Sequence, residues 1–402
     1  SEMCIRDSLN NVYSYVREVT DAIHPNTYGG IFTEASLDGA NRWNKTYAEW
    51  TNGSFNSASA QASEYFSKYY QAIAKASTFI QNVDKCTEAA ASTRGKWKSE
   101  ARALRAYYYF ELLRLYGPIP LIGEDPIPLD ASLEELIKER NSVDECVNFI
   151  ATELQSAIDS GDLLQRAGKA NLGRMDVATC MALKAKLYLY WASPLFNGNT
   201  DQASVKNKDG KQLFPQTEDN SKWTQARDAY ERFMTFATGQ GYKLTEVYTN
   251  GKLDPYASCR AAGEFFTTTW EAVDELIFVK LRDLYDYTYW VCPKFTDFQD
   301  TDVTGGGGYY TTQETVDLFF TKDGLTIEED PGYDKFEGIP GANNFTSGRY
   351  YDPNNPSRLY FDADKSKVLK QWKDREPRFY VNITYSGSIW LNEGKYLSLI
   401  HI

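Results

Sequence analysis

The stretch Lys96–Ile122, KWKSEARALRAYYYFELLRLYGPIPLI, decides the fold. Ala101, Leu104, Tyr108, Leu112 and Leu115 recur at helical spacing along one stripe, and Ala103, Ala106, Tyr107, Phe110 and Leu113 fill a second face beside it. A helix apolar on two faces needs two neighbours. The small residues at 101, 103 and 106 let one of them approach closely. Gly117, followed by Pro118 and Pro120, predicts a sharp stop after Tyr116. Together these properties suit the interior of a helical stack better than the surface of a compact bundle.

Working outward, Leu9–Val19 has a short amphipathic pattern that predicts an opening helix, ended by Pro25 and Gly29-Gly30. Ala62–Val83 keeps three-and-four spacing through Tyr65, Tyr69, Ile73, Ala76 and Ile80, and is expected to pair with that opening helix. Ser142 with Glu145 forms a capping-box signature that starts a further helix, with Cys146, Ile150, Leu154 and Ala157 facing inward. Its expected partner runs from Asp176 through Ala178, Ala182, Ala185 and Leu189 to Ser193, stopped by Pro194. Trp223–Phe236 begins a third pair, which Tyr256–Phe266 with Glu275, Ile277 and Phe278 would complete. Irregularly spaced helix pairs of this kind predict a tetratricopeptide-like array with long insertions.

The run E-A-R-A-L-R-A-Y-Y-Y-F-E-L-L-R-L-Y-G-P-I-P-L-I, within residues 100–122, resembles the most recognisable block of the SusD/RagB family. A second block is also similar: Gly173, Arg174, Leu183, Lys184, Ala185, Tyr188, Leu189 and Tyr190, with Ala178 displaced by one position. So are the segment Thr312–Gly324 and the run Arg375-Glu376-Pro377-Arg378-Phe379, in which Glu376 stands where the family usually has aspartate. The resemblance covers most of residues 9–396. It implies a mainly α fold, a tetratricopeptide-like superhelix of helix pairs over about 9–280, with a loop-rich, minor-β cap over about 281–396. The family's fourth helix pair is missing after that point, so a single domain truncated at its C-terminal end is expected.

Both ends read as foreign. Glu2–Ser8 and Leu397–Ile402 can be encoded by DNA strings that are reverse complements of each other and resemble a transposase end sequence used in preparing sequencing libraries. Residues 1–8 and 397–402 are therefore expected to be translated adaptor. On that reading His401 and Cys4 carry no chemistry.

The chain has 402 residues and a formal net charge of −12, which argues against a phosphate-backbone partner because nucleic-acid binding begins with a basic footprint. No apolar run approaches the ~20 residues of a membrane span. Only His24 and His401 are present, and no H-E-x-x-H, Cys-His zinc set or G-x-S-x-G elbow occurs. The six cysteines include no C-x-x-C pair, so Cys86, Cys146, Cys180, Cys259 and Cys292 are expected to be free thiols, Cys146 and Cys180 on apolar helix faces. Gly305–Gly308 lacks the ending of a phosphate loop. Asp300-Thr-Asp302 begins like a calcium loop, but its twelfth position, Thr311, is not the bidentate glutamate required. No cofactor and no metal are expected.

Aromatic residues are the unusual feature: 9 Trp, 29 Tyr and 21 Phe make 15% of the chain. Tyr107–Phe110, Tyr188, Tyr190 and Tyr230 sit at helix-stripe positions and are expected in the core. Trp43, Trp50, Tyr285, Tyr287, Trp290, Tyr309 and Tyr310 fall outside any helical period, in polar segments with Asn41, Asn52 and Asp286. A pyranose offers an apolar C–H face that stacks on such rings, and rim hydroxyls that bond to amides and carboxylates. Asn41, Trp43, Trp50, Asn52, Tyr285, Tyr287, Trp290 and Tyr309 are therefore the candidate ligand-binding set, although each ring is as well suited to anchoring a loop on the helices.

The resemblance implies a surface-exposed lipoprotein of a Bacteroidetes-type outer membrane that captures glycan without catalysis and passes it to a SusC-like TonB-dependent transporter. The signal peptide and the lipid-bearing cysteine are not in this sequence. The alternatives are peptide capture by a RagB-like import component, an all-helical glycoside hydrolase, and a peptide-binding tetratricopeptide adaptor.

Overall fold

The computed structural model describes residues 2–17, 36, 39–41, 49, 53–125, 127, 128, 130–263, 274–280, 309–335, 338 and 340–389. Contacts divide the chain into two units, one of residues 1–17, 56–243 and 276–281, the other of residues 18–55, 244–275 and 282–402.

The first unit is built of helices. Its principal helices are α1 (Glu2–Tyr13), α2 (Ala60–Asn82), α3 (Ala91–Tyr116), the short α4 (Leu133–Leu136), α5 (Val143–Asp159), α6 (Val177–Ala192) and α7 (Ser221–Gly239). Packing runs in chain order, α2 on α3, α3 on α5, α5 on α6 and α6 on α7, as expected of a tetratricopeptide-like array. Two sequence expectations change. The opening helix spans 2–13 rather than 9–19, and α2 packs chiefly against α3, with α1 making smaller contacts to both. The short link between α2 and α3 makes them neighbours.

Helix α3 is buried on both of its apolar faces: Ala101, Leu104, Tyr108 and Leu112 on one, Ala103, Ala106, Phe110 and Leu113 on the other. It ends at Tyr116 because Gly117 takes φ +67°, and a Cβ there would sit 3.0 Å from the Phe214 ring. Helix α5 starts on its expected capping box, with Ser142 Oγ accepting from the Glu145 amide and the Glu145 carboxylate accepting from the Ser142 amide at 2.7 Å. Asp176 caps α6, its carboxylate accepting from the Thr179 amide at 2.7 Å.

Charged residues inside the stack are paired. Arg105, fully buried, donates from Nε to Glu153 Oε2 at 2.7 Å and from Nη1 to Ser77 Oγ at 3.0 Å, which ties α2, α3 and α5 together. The buried Glu100 carboxylate accepts from Tyr13 Oη at 2.7 Å and pairs with Arg174 Nε at 2.8 Å. Burial raises its pKa above the ordinary carboxylate value despite the nearby guanidinium. Beside Arg174, Gly173 takes φ +82°, where a Cβ would meet the Val279 carbonyl oxygen at 2.8 Å. The Gly-Arg dipeptide noted in the sequence thus combines a backbone only glycine adopts without strain with an ion pair to α3.

The second unit contains β1 (Ala40–Asn41), β2 (Tyr248–Thr249), β3 (Lys252–Leu253), α8 (Pro255–Gly263), β4 (Tyr309–Tyr310), α9 (Gln313–Asp317), β5 (Arg349–Asp352), β6 (Asn355–Asp362) and α10 (Pro377–Asn382). The strands form three two-stranded antiparallel ladders, β1–β4, β2–β3 and β5–β6. An aromatic core of Tyr256, Val316, Tyr360, Phe361, Val368, Phe379 and Tyr385 holds the unit together. Helix α8 packs on α10, so it does not complete a third helix pair with α7 as the sequence suggested. Of the residues expected to complete that pair, Ile277 packs against the α6–α7 core of Ala178, Phe233, Ala237 and Tyr242.

One buried arginine fixes α8 to the β5–β6 hairpin. Arg358 bonds both oxygens of Asp254 at 2.8 Å and Asp352 Oδ2 at 2.7 Å, with its guanidinium 4.3 Å from the Tyr256 ring centroid. These bonds hold the Asp254 carboxyl down at about 2.

Candidate functional site

Strands β1 and β4 join the two polar, aromatic segments that the sequence singled out. Their register sets Asn41 opposite Tyr309 and Ala40 opposite Tyr310. Asn41 and Tyr309, from loops far apart in the chain, are thus direct cross-strand partners. Across from Tyr310 stands only an alanine, and Tyr310 is 51% exposed. Beyond the ladder, Thr312 caps α9 by accepting from the Thr315 amide at 3.3 Å. The cap fixes the direction in which the chain leaves β4.

The other candidate residues, Trp43, Trp50, Asn52, Tyr285, Tyr287 and Trp290, lie outside the described residues, as do Asp286, His24, Cys292, the Gly305–Gly308 run and the calcium-like segment from Asp300. In sequence, Trp43 follows the ladder residue Asn41 by two positions. Of the helix-stripe aromatics expected in the core, Tyr108, Tyr109 and Phe110 are buried, whereas Tyr107, Tyr188, Tyr190 and Tyr230 are half-buried, with Phe110 meeting Tyr190 edge-on at 5.6 Å.

The buried carboxylates serve the fold. Asp254 and Asp352 face Arg358, Glu153 faces Arg105, Glu111 faces Arg114 at 2.8 Å, and Asp362 pairs with Arg349 at 2.9 Å. Burial raises Glu111, as it does Glu100, and both are enclosed by the stack at 6% and 0% exposure. Among the described residues no group of three or more His, Cys, Asp or Glu side chains is placed to hold a metal. Cys86, Cys146 and Cys180 are buried free thiols, and Cys259 is a half-buried one.

Sequence reasoning passed over a polar depression in the second unit that includes Lys322, Lys373 and Asp374. Its signal was the dense run of charges at Lys373-Asp374-Arg375-Glu376, of which only the last two had been noted. Glu376, the departure from the family pattern, sends its carboxylate to the Phe320 amide at 2.9 Å and to Arg378 Nε at 2.7 Å.

A tetratricopeptide-like stack in one unit and, in the other, a loop-rich body around an aromatic core define the class as a helical-repeat protein with an appended loop unit. Comparison with known proteins places it further. Residues 2–189 match a family model described as "Starch-binding associating with outer membrane", and residues 275–398 match the SusD family model. The chain belongs to the SusD/RagB family. A SusD-like protein of Bacteroides ovatus is 27% identical over 175 residues, which cover 42% of this chain and 30% of that one.

Among solved structures, the protein named BT4246 superposes with a TM-score of 0.71 at 24% identity, over 95% of this chain and 64% of that one. A SusD-like protein of Bacteroides fragilis, BF3747, gives 0.63 at 21% identity, over 96% and 61%. Surface glycan-binding protein A of Bacteroides uniformis gives 0.53 at 16% identity, over 80% and 62%. These likenesses concern the fold. The chain spans under two thirds of the length of each of these relatives.

Proposed function

We propose that the protein is a surface-exposed outer-membrane lipoprotein that captures oligo- or polysaccharide without cutting it and delivers it to a SusC-like TonB-dependent transporter. The observation that carries this reading is the β1–β4 ladder, which couples the two segments rich in rings and amides through Asn41 and Tyr309. Rings beside amides and carboxylates suit the apolar face and hydroxyl rim of a sugar. The family description, starch binding and association with the outer membrane, supports the same reading, and so does the name of the Bacteroides uniformis relative. Trp43, Trp50, Asn52, Tyr285, Tyr287 and Trp290 are proposed to form the ligand surface with Asn41 and Tyr309.

Affinity electrophoresis against a polysaccharide panel tests the proposal with Trp43→Ala and Trp290→Ala. Retention by at least one glycan, lost in both variants at an unchanged melting temperature, is the expected result. Equal retention in both variants removes the site. Retention by no glycan together with binding of peptide favours a RagB-like role, and release of reducing sugar makes the protein a hydrolase.

A further inference from the structure

Downstream of the ladder, the second unit carries an open depression of about 360 Å³ among residues 322–334, 346 and 370–374. Its volume lies at the lower end of the ~300–1,000 Å³ usual for small-molecule sites. One wall is an aromatic ring held still. Tyr333 Oη donates to the Gln371 carbonyl at 2.9 Å and accepts from Arg375 Nη1. The Arg375 guanidinium, 5.1 Å from the centroids of both Tyr333 and Phe379, is anchored from Nη2 to the Val316 and Phe319 carbonyls at 2.7 Å each. Tyr333 is thereby fixed at its hydroxyl and beside a buried cation, so a ligand stacking on it would order no side chain at that wall.

Asp374, which also lines the depression, is a non-glycine residue at φ +58°. Its carbonyl accepts from the Lys322 amide at 2.8 Å, and its carboxylate accepts from Tyr350 Oη at 2.9 Å and Lys322 Nζ at 3.1 Å. That backbone is uncommon for aspartate and persists because three bonds hold it.

Charge selects the ligand. Lysines 322, 370 and 373 face aspartates 323, 330, 334 and 374, two pairs of which touch: Lys322 with Asp374, and Lys370 with Asp334 at 3.8 Å. The signs nearly cancel, so neither an anion nor a bare cation is favoured. What the depression offers is open hydrogen-bonding capacity of both kinds. Among the described residues Asp323 and the Lys373 ammonium have no hydrogen-bond partner, and Asp330 spends Oδ1 on the Gly332 amide at 2.8 Å. A vicinal diol answers such a pair, one hydroxyl donating to the carboxylate and its neighbour accepting from the ammonium, while the ring's C–H face rests on tyrosine. We propose that this depression is a second sugar subsite that takes one neutral hexopyranose between Tyr333, Asp323 and Lys373. It stands on its own geometry and does not require the Trp43 and Trp290 segments to bind.

The test is saturation-transfer NMR on the full chain with the methyl glycosides of glucose, mannose and galactose, with methyl glucuronide as the anionic arm and glycylglycine as the zwitterionic one. Asp323 and Lys373 are exposed, so Asp323→Asn/Lys373→Ala should melt with the wild type. If the double variant does not, Asp323→Asn alone is read. The expected result is transfer to at least one neutral glycoside in the wild type and in Trp43→Ala/Trp290→Ala, reduced at least about fivefold when Asp323→Asn/Lys373→Ala is added to that tryptophan variant. The proposal is overturned by undiminished transfer in the combined variant, by loss already complete in the tryptophan variant, by transfer to the glucuronide or dipeptide alone, or by no transfer to any of the five.

Discussion

Replacing Arg358 with methionine should cost the second unit about 3–5 kcal/mol at pH 7, because it leaves Asp254 and Asp352, 3% and 1% exposed at their side chains, without the cation that both face. Three bonds of 2.7–2.8 Å are lost, and charge-assisted bonds are worth roughly 1.5–3 kcal/mol each before the hydrophobic replacement returns part of the sum. In a unit of this size about 1 kcal/mol moves the midpoint by roughly 2–4 °C, so a fall of roughly 6–20 °C is expected. The assay is thermal unfolding with hydrogen exchange read on β5, β6 and α8, which separates this unit from the helical stack. Acid sharpens the test. With its folded pKa held at about 2, below the ordinary carboxylate value, Asp254 contributes stability that is fully present above pH ~4 and is lost as pH falls through about 2. The gap between wild type and variant should therefore narrow from pH 5 to pH 2, and Asp254→Asn/Asp352→Asn should restore much of the stability lost in Arg358→Met. A loss below about 1 kcal/mol that does not change with pH would refute the assignment of Arg358 as the cation on which two buried carboxylates depend.

Gly173→Ala should destabilise the first unit by about 2–3 kcal/mol, from a left-handed backbone costing about 1–2 and a Cβ 2.8 Å from the Val279 carbonyl; urea unfolding followed by far-UV circular dichroism measures it. Ser142→Ala should cost about 1 kcal/mol and leave the rest of α5 helical, read by the same titration. In a Cys292→Ser background, a thiol reagent at pH 8 should label Cys4 first and Cys259 more slowly. It should spare Cys146, whose thiol burial pushes up to about 12, until the protein unfolds. Rapid labelling of Cys146 in the folded chain would contradict its enclosure.

Helix ends were legible wherever a local bond sets them. Ser142 with Glu145, Asp176 before α6 and Gly117 after α3 each satisfy the orphan groups of a helix end through residues one to three positions away, so the sequence carries the whole interaction. Partnership was not local and was misread twice. Periodicity showed that α2 buries Tyr65, Tyr69, Ile73 and Ala76, yet it could not say that α3 rather than α1 covers most of that stripe. Helix α8 reads like a third-pair helix until its tyrosine, Tyr256, is found 5.6 Å from Tyr360, a contact across a hundred positions that no spacing encodes. At the candidate site, residue types pointed to sugars through their chemistry, but strands of two residues carry no alternation, so the pairing of Asn41 with Tyr309 was invisible.

That pairing also sets an order of events during synthesis. The chain must emerge through β4 before residue 41 meets its cross-strand neighbour, so nearly every helix of the first unit is translated while β1 has no mate. A ribosome stalled before position 309 therefore leaves residues 40 and 41 without the strand they pair with in the finished chain.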